Sequence, residues 1–418
     1  MSAPKGWQLR LWLGLRPLLQ PVMRRVLERR LARGKEDPAR VGEKRGEATL
    51  PRPPGRLVWL HAVGLGEVLA LRPLIAQMRA EAPDLHFLIT STARSSARVI
   101  GANLPPGCVH QFLPLDGPDF VARFLDHWRP ALSVWSEQDL WPGVIHDTAL
   151  RGIPLAWVNA RMNAESHRKR ARARGLYRDT LARFALISAQ DEATARHLRD
   201  LGARAVQVDG SLKPAAEPLG ADPAELARAR AALAGRKVWV AASTHAADEA
   251  VVIQAQAALA QDDPARLMIL APRLPDRADQ IAAALTAAGL RFARRSRGEF
   301  PGPDAQVWLA DSFGELGLWY RLGETAFIGG SFGSLGGHNP WEAVCLGLPV
   351  LHGPDTRNFA ADYAGLHEAG LARLITPGEA ANALRAPATD IRTRARALVE
   401  AARARLRPLA RDLLALTT

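Results

Sequence analysis

Apolar residues along this chain come in short unbroken runs, each followed by a longer stretch with helical spacing. LVWLHAV (57–63) is the first such run and reads as a strand buried on both faces. The turn GLGE follows, then a helical pattern to about Ala82. LHFLIT (85–90), VHQFLP (109–114), LSVWS (132–136), LAWVNA (155–160) and FALISA (184–189) repeat the alternation. After VQVDGSLKP (206–214) it restarts with KVWVAAST (237–244), LMILAPR (267–273), VWLAD (307–311), ETAFIGGS (324–331) and LPVLHG (348–353). Strand and helix in turn predict an α/β fold with two doubly wound parallel sheets, in two Rossmann-like halves joined near residues 212–222. Ligands of such sheets bind beyond the carboxyl ends of the strands, which places the site in a cleft between the halves.

The ends of the chain break this rhythm. Residues 7–33, WQLRLWLGLRPLLQPVMRRVLERRLAR, set Trp7, Trp12 and leucines among Arg24, Arg25, Arg29 and Arg30. The longest uncharged run, Pro17–Met23, is far short of the roughly 20 residues of a membrane span. Arg10 and Arg16 interrupt the apolar core that a signal peptide needs. The segment is therefore either an interfacial helix on anionic lipid or an amphipathic helix docked on its own domain. Pro17 and Pro21 are expected to kink it. The domain plan is an N-terminal helix over 1–33, a first Rossmann-like domain over 34–212 that opens with a polar, Pro-rich connector (34–56), a second over 213–390, and a C-terminal helix over 391–418 that crosses back to the first.

A length of 418 residues with 48 % hydrophobic content supports two cores. Cys108 and Cys345 form no metal or redox spacing, as expected of a reduced compartment. The net charge of +13 suits an anionic partner: nucleic acid, a membrane surface or a phosphorylated substrate. No finger, RNP or helix-turn-helix signature is present, so nucleic acid is set aside.

The densest chemistry lies in GGSFGSLGGHNPWEAVCLGLPVLHGP (329–354). Its glycines let a ligand approach the backbone, Asn339 reads as an N-cap and Pro340 as the first helical residue. A helix start at a strand end binds an anion through free N–H groups. No GK[ST] follows, so it is not a Walker loop, and no GxGxxG marks the first strand. Glu342, three residues after Asn339, either completes a capping box or reaches past the helix start to a sugar diol. Glu67, on the first turn after the first strand, is a general-base candidate or a helix-start charge, and the helix dipole is expected to keep it ionised. Glu137 and Asp139 lie past another strand end and either bind an acceptor sugar or cap a loop. His245 with Asp248 and Glu249 has no third His placed by any motif, so no metal site is read.

Taken together these segments resemble GT-B glycosyltransferases, and most closely the Kdo (3-deoxy-D-manno-octulosonic acid) transferases of lipid A biosynthesis. HAVGLGE (61–67), SEQDLWPG (136–143), VNARM (158–162), DGSLK (209–213), AASTH (241–245), PRLPDR (272–277), GELGLWY (314–320) and GGSFGSLGGHNPWEA (329–343) are similar to that family's segments and follow in its order, after the connector-like RGKEDPAR (33–40). The resemblance implies a GT-B fold, two Rossmann-like domains facing a central cleft, with a membrane-associated helix in front. It implies an inverting, metal-independent transferase that needs no cofactor and works on the cytoplasmic face of the bacterial inner membrane. CMP-Kdo is the implied donor, a lipid A precursor the acceptor and the anionic membrane surface a further partner. Glu67 becomes the base. Lys213, Ser243, Thr244, His245, Pro272, Arg273, Gly314, Glu315, Gly330, Ser331, Gly336, Gly337, His338 and Asn339 become donor-site residues, with Glu342 on the ribose. Gly64, Gly66, Arg94, Arg98, Glu137, Asp139 and Arg161 fall to the acceptor side. The chain departs from the family pattern at Gly64, Asp139, Gly143, Asn163, Ala164, Leu274 and Asp355, mostly on that side, so the implied acceptor is less securely matched than the donor. A divergent relative with another acceptor or nucleotide sugar, or a non-catalytic binding relative, is the rival reading.

Overall fold

The computed structural model describes residues 6–92, 94, 104–105, 107–233, 235–385 and 390–417. The chain divides into two compact units, Met1–Ala216 with Ala402–Thr418, and Glu217–Ala401. The boundary falls at 216/217 rather than 212/213, so Lys213 belongs to the first unit. The last helix, Ile391–Ala415, begins in the second unit, and from Ala402 on it counts with the first. There Ala402, Leu406, Leu409, Ala410 and Leu413 pack with Leu71, Leu74 and Met78 in one core.

The first unit holds a seven-stranded parallel sheet: β1 Leu57–His61, β2 His86–Ser91, β3 Cys108–Phe112, β4 Leu132–Ser136, β5 Leu155–Ala160, β6 Leu186–Ala189 and β7 Val206–Val208. Their order is β3-β2-β1-β4-β5-β6-β7. The second unit repeats the plan with β8 Val238–Thr244, β9 Leu267–Pro272, β10 Phe292–Arg294, β11 Val307–Leu309, β12 Thr325–Ile328, β13 Val350–His352 and β14 Ala372–Leu374. Its order is β10-β11-β9-β8-β12-β13-β14, again all parallel. The central strands are mostly apolar because helices cover both faces; all five residues of β1 and of β4 are buried, His61, Ser133 and Ser136 among them. Each sheet reverses its winding at one place, between β1 and β4 in the first and between β8 and β12 in the second. A crevice opens at such a point, and ligands of doubly wound sheets bind there.

The N-terminal segment forms one helix, α1 (Trp7–Ala32), which carries both Pro17 and Pro21 without a break. Both prolines are exposed, so water can reach the carbonyls that they leave unpaired. α1 docks on the first unit by a polar stripe. Gln8 accepts from Leu176 N at 2.9 Å, Trp12 Nε1 donates to Asp116 at 3.3 Å, Arg16 pairs with Asp116 (3.1 Å) and Asp147 (2.8 Å), and Gln20 Nε2 donates to Asp119 at 2.8 Å. Residues four apart share one helix face, so 8, 12, 16 and 20 line a single side. Trp7, Leu11, Leu15, Leu18, Val22 and Val26 of the same helix are all exposed, Leu18 by 72 %. Leu9 and Leu27 are buried, so α1 offers apolar residues both to the fold and away from it, unlike an ordinary surface helix with one apolar face.

The segment after α1 is less loose than a connector. It contains the 3-10 turn Val41–Arg45, and its Glu36, Glu43 and Lys44 are buried and paired: Lys44 Nζ lies 2.6 Å from Glu36, and Arg40 Nε 2.8 Å from Glu43.

Candidate active site

In the first unit the switch point brings together the ends of β1, β4 and β5. β1 runs through His61 into the helix α2 (Leu65–Glu81), where Gly64 is the N-cap, Gly66 the second residue and Glu67 the third. Glycine at the cap has no side chain to satisfy the helix start, so Glu67 folds back and accepts from Val63 N at 2.8 Å. The expectation that the dipole keeps Glu67 ionised is reversed. Burial, and then the negative charges of Glu137 and Asp139, outweigh the N–H bonds from Val63 and Gly64 and push its carboxyl up to about 7.

Glu137 and Asp139 differ in role. Glu137, just past β4, is buried with φ +60, and Asn159 near the end of β5 has φ +51. A left-handed conformation costs a side-chain-bearing residue roughly 1–2 kcal/mol. Here it is held by a dense bond set. Asn159 Nδ2 donates to Glu137 Oε1 at 3.0 Å, Trp157 Nε1 to Glu137 O at 2.9 Å, and Leu212 N to Asn159 Oδ1 at 3.0 Å. Lys213 Nζ stands 3.4 Å from Glu137 Oε1. Lys213 was expected at the donor site, and the structure instead buries it in the first unit against this carboxylate. Asp139 accepts from Trp141 Nε1 at 2.9 Å and lies 3.3 Å from His61 Nε2. Burial pushes its carboxyl up, but the bonds to His61 and Trp141 prevail and hold it below the ordinary aspartate range. Arg94 donates to Gly34 O, near the end of α1, at 2.6 Å. The Arg161 backbone N–H donates to Glu137 O at 3.3 Å. Arg98 lies outside the described residues.

Three of the departures from the family pattern have local explanations. Gly143 is bound to packing: a Cβ there would sit 2.3 Å from the Arg16 guanidinium and from Asp116 Oδ1. Asn163 caps the helix Ala164–Ala171 by accepting from Ser166 N at 2.8 Å. Asp355 accepts from Gly336 N at 2.9 Å and so braces the glycine loop.

In the second unit the switch point joins the ends of β8 and β12, with β9 beside them. β8 closes on a bulge, its register with β9 shifting between Ala242 and Thr244, and Ser243 takes φ +54. Gly329 fits against that bulge only as glycine, since a Cβ would come 2.4 Å from Ser243 O. Asp248 ties the two strand ends together. Its buried carboxylate accepts from the backbone N–H of His245 (3.0 Å), Gly330 (2.7 Å), Ser331 (3.2 Å) and Phe332 (3.0 Å). Ser331 Oγ in turn donates to Ile328 O at 2.8 Å. Thr244 is buried at the strand end and accepts from Arg273 N through its carbonyl at 2.9 Å. Arg273, next to Pro272, makes no side-chain ion pair or hydrogen bond among the described residues, and its charge acts on His245, His338 and Glu342.

The helix after the glycine loop is one turn, Trp341–Val344, with Pro340 rather than Asn339 at the cap position. Asn339 sits one residue earlier and reaches over the proline to accept from Trp341 N at 3.1 Å. Glu342 has its carboxyl raised by burial, with an Asn339 hydrogen bond and Arg273 opposing. Gly336 (φ +87) and Gly337 (φ +74) carry the loop into this turn. Gly314 and Glu315 follow β11, on the far side of β9, and Glu315 is engaged with Arg295 at 2.7 Å and with Ser312. The remaining donor-site residues expected from the sequence gather at the ends of β8, β9 and β12. Asp248 is the residue that sequence reasoning missed, having weighed it only as a metal ligand. Its capping-box spacing from His245 was the available signal. No cluster of three metal-binding side chains occurs among the described residues.

Comparison with known proteins shows the chain's family and fold. The sequence model of the family described as 3-deoxy-D-manno-octulosonic-acid transferase (kdotransferase) matches residues 28–216. The 3-deoxy-D-manno-octulosonic acid transferase of Haemophilus influenzae is 34 % identical over 330 residues, 77 % of this chain and 76 % of that one. Its Bordetella pertussis counterpart is 38 % identical over 334 residues, again 77 % and 76 %. Among solved structures a UDP-N-acetylglucosamine 2-epimerase aligns over 86 % of this chain and 96 % of its own, with a TM-score of 0.56 and 13 % identity, a likeness of fold alone.

Proposed function

Because the chain belongs to the 3-deoxy-D-manno-octulosonic acid transferase family, as a glycosyltransferase of the GT-B fold, we propose that it moves Kdo from CMP-Kdo to a hydroxyl of a lipid A precursor with inversion. The observation that carries this reading is Glu67: a carboxylate at the switch point of the first sheet, with its titration raised to about 7. Glu67 takes the proton of the acceptor hydroxyl. The oxygen forms a bond to the anomeric carbon of Kdo, and the bond from that carbon to the phosphate oxygen breaks, releasing CMP. In the second unit Arg273 meets the leaving phosphate at the ends of β8, β9 and β12, and Glu342 takes the ribose diol. The phosphate's charge is answered by groups of the chain, so turnover is expected to survive chelators, with no metal or other cofactor. Asp139, Arg94 and Arg161 remain on the acceptor side, and His61 joins them through Asp139. Lys213 acts there too, by fixing Glu137.

No helix among the described residues is long and apolar enough to cross a membrane. The outward apolar stripe of α1 and its arginines fit a protein lying on the anionic cytoplasmic face of the inner membrane, where a lipid acceptor is found.

The test is an end-point assay by mass spectrometry, with freshly generated CMP-Kdo, tetraacylated bisphosphorylated lipid A precursor and no added metal. One or more Kdo units on the lipid, lost by orders of magnitude in a folded Glu67→Gln protein, is the expected result. Intact CMP-Kdo and no product, beside an active control transferase, would overturn the reading.

A further inference from the structure

His245 and His338 arise from the ends of neighbouring strands and meet ring to ring. Their Nε2 atoms lie 2.9 Å apart, with ring planes 19° from parallel. Two neutral imidazoles at that distance share one proton, so one ring donates and the other accepts. The rest of the bonding decides which. His245 is the N-cap of the helix Ala246–Asp262, and in a capping box its side chain faces the backbone N–H of Asp248 while Asp248 accepts from His245 N at 3.0 Å. Its Nε2 is committed to His338, so the atom that faces the Asp248 N–H is Nδ1, where a lone pair is favoured over a second proton. The proton of His245 therefore sits on Nε2 and points at His338. His338 Nε2 accepts, and its own proton is left on Nδ1.

The Cδ2–Nε2 edge of the His338 ring lies against Gly330, where a Cβ would come within 3.0–3.1 Å. Nδ1 is on the other edge, and among the described residues it has no partner. Burial and the neighbouring Arg273 charge push His338 down to about 4, and burial also lowers His245. Asp248 pulls the other way on both rings, while Arg277 adds to the depression at His245. The ring is thus a neutral donor at physiological pH, and the positive charge of the site comes from Arg273.

We propose that Asp248 and His245 are positioning residues that lock His338 in the Nδ1–H form, and that this single N–H is aimed at a phosphate oxygen of the nucleotide sugar. The proposal rests on the donor-site reading above. It makes His338 a fixed dipole for the departing phosphate, not an acid that must first be charged.

The experiment uses the full chain labelled with 15N-histidine, followed by long-range 1H–15N spectra, and CMP as the probe. The wild type should show one histidine protonated on Nδ1 and assigned to His338 by its loss in His338→Gln, and CMP should shift that N–H. His245→Asn keeps a strong N-cap, and hence the fold, but does not reach His338. In it the Nδ1–H form should give way to the Nε2–H form and CMP should bind about tenfold more weakly, the worth of one well-placed hydrogen bond. An Nε2–H form of His338 in the wild type, or an unchanged form and affinity in His245→Asn, would overturn the relay and leave the donor site standing. Failure of the wild type to bind CMP at all would overturn both.

Discussion

Glu67 is held between two demands. Its place on the first turn of α2 lets it satisfy the Val63 N–H, yet the same place buries it beside Glu137 and Asp139. A base must be ionised, so kcat/KM should fall as pH drops through about 7, approaching tenfold per pH unit below it, and level off above. The same shift sets a stability relation of definite sign. The folded value lies above the unfolded one, so stability present below about pH 4.5 is lost as pH rises through about 7. Glu67→Gln cannot ionise and escapes that loss. Urea unfolding should find it more stable than the wild type at pH 8, by up to ~3 kcal/mol, with the gap shrinking toward pH 5. A wild type equal to or more stable than Glu67→Gln at pH 8 would contradict the buried placement of this carboxyl. Residues of this kind were legible in the sequence because they follow strand ends, where chemistry in such sheets collects. Lys213 and Asp248 were not. Lys213, grouped by its motif with the second unit, lies in the first, and Asp248 acts on backbone N–H groups, which only its capping-box spacing from His245 signals.

At the scale of elements, the strands read from unbroken apolar runs are all the central ones and the five-residue edge strand β3, and the three that went unread are β7, β10 and β14. Each has three residues and stands at the edge of its sheet. An edge strand pairs on one side only and buries little, so it needs no apolar run; β14 keeps two of its three residues exposed. The docking of α1 was equally hidden, because it works through Arg16 inserted between Asp116 and Asp147. Burial pushes the Asp116 carboxyl up to about 6 against the Arg16 charge, so the pair is costly to bury and costlier to break. Gly143 is where that insertion meets the first sheet's helices, and the departure there follows from packing rather than from a changed substrate. Gly143→Asn should destabilise the first unit by about 3 kcal/mol. Arg16→Ala should cost a similar amount by leaving Asp116 unpaired, whereas the double variant should cost clearly less than the sum, because the asparagine then occupies the vacated space. Thermal melts of the four proteins measure the coupling, and additive losses would show that Gly143 and Arg16 are independent.

At the scale of the whole molecule, two features that fold energetics does not require point the same way. The chain carries a net charge of +13, and α1 docks through its hydrogen-bonding stripe with Leu9 and Leu27 while six further apolar residues stay exposed. A helix that needed only to dock would bury Leu18, Val22 and Val26 and expose Gln8 and Gln20. With its polar side chains satisfied on the protein, α1 is free to offer its leucines to a second apolar medium, and the exposed Arg24, Arg25 and Arg29 stand ready for anionic headgroups, while Arg30 pairs with Glu36. The full chain should therefore bind phosphatidylglycerol-containing vesicles more tightly than zwitterionic ones, with the difference shrinking as salt shortens the range of the charges. Leu18→Asp with Val22→Asp should cut vesicle binding by about a hundredfold while leaving the melting temperature nearly unchanged, since neither side chain packs on the fold and two apolar residues lose their burial in lipid. Sedimentation with vesicles reads both effects. Undiminished binding by the double variant would shift the membrane contact away from α1, and a large drop in melting temperature would mean that the outward stripe supports the fold after all. Loss of vesicle binding with full transfer to a detergent-dispersed acceptor would separate the two roles: α1 brings the protein to its lipid, and the switch points of the two sheets carry out the chemistry.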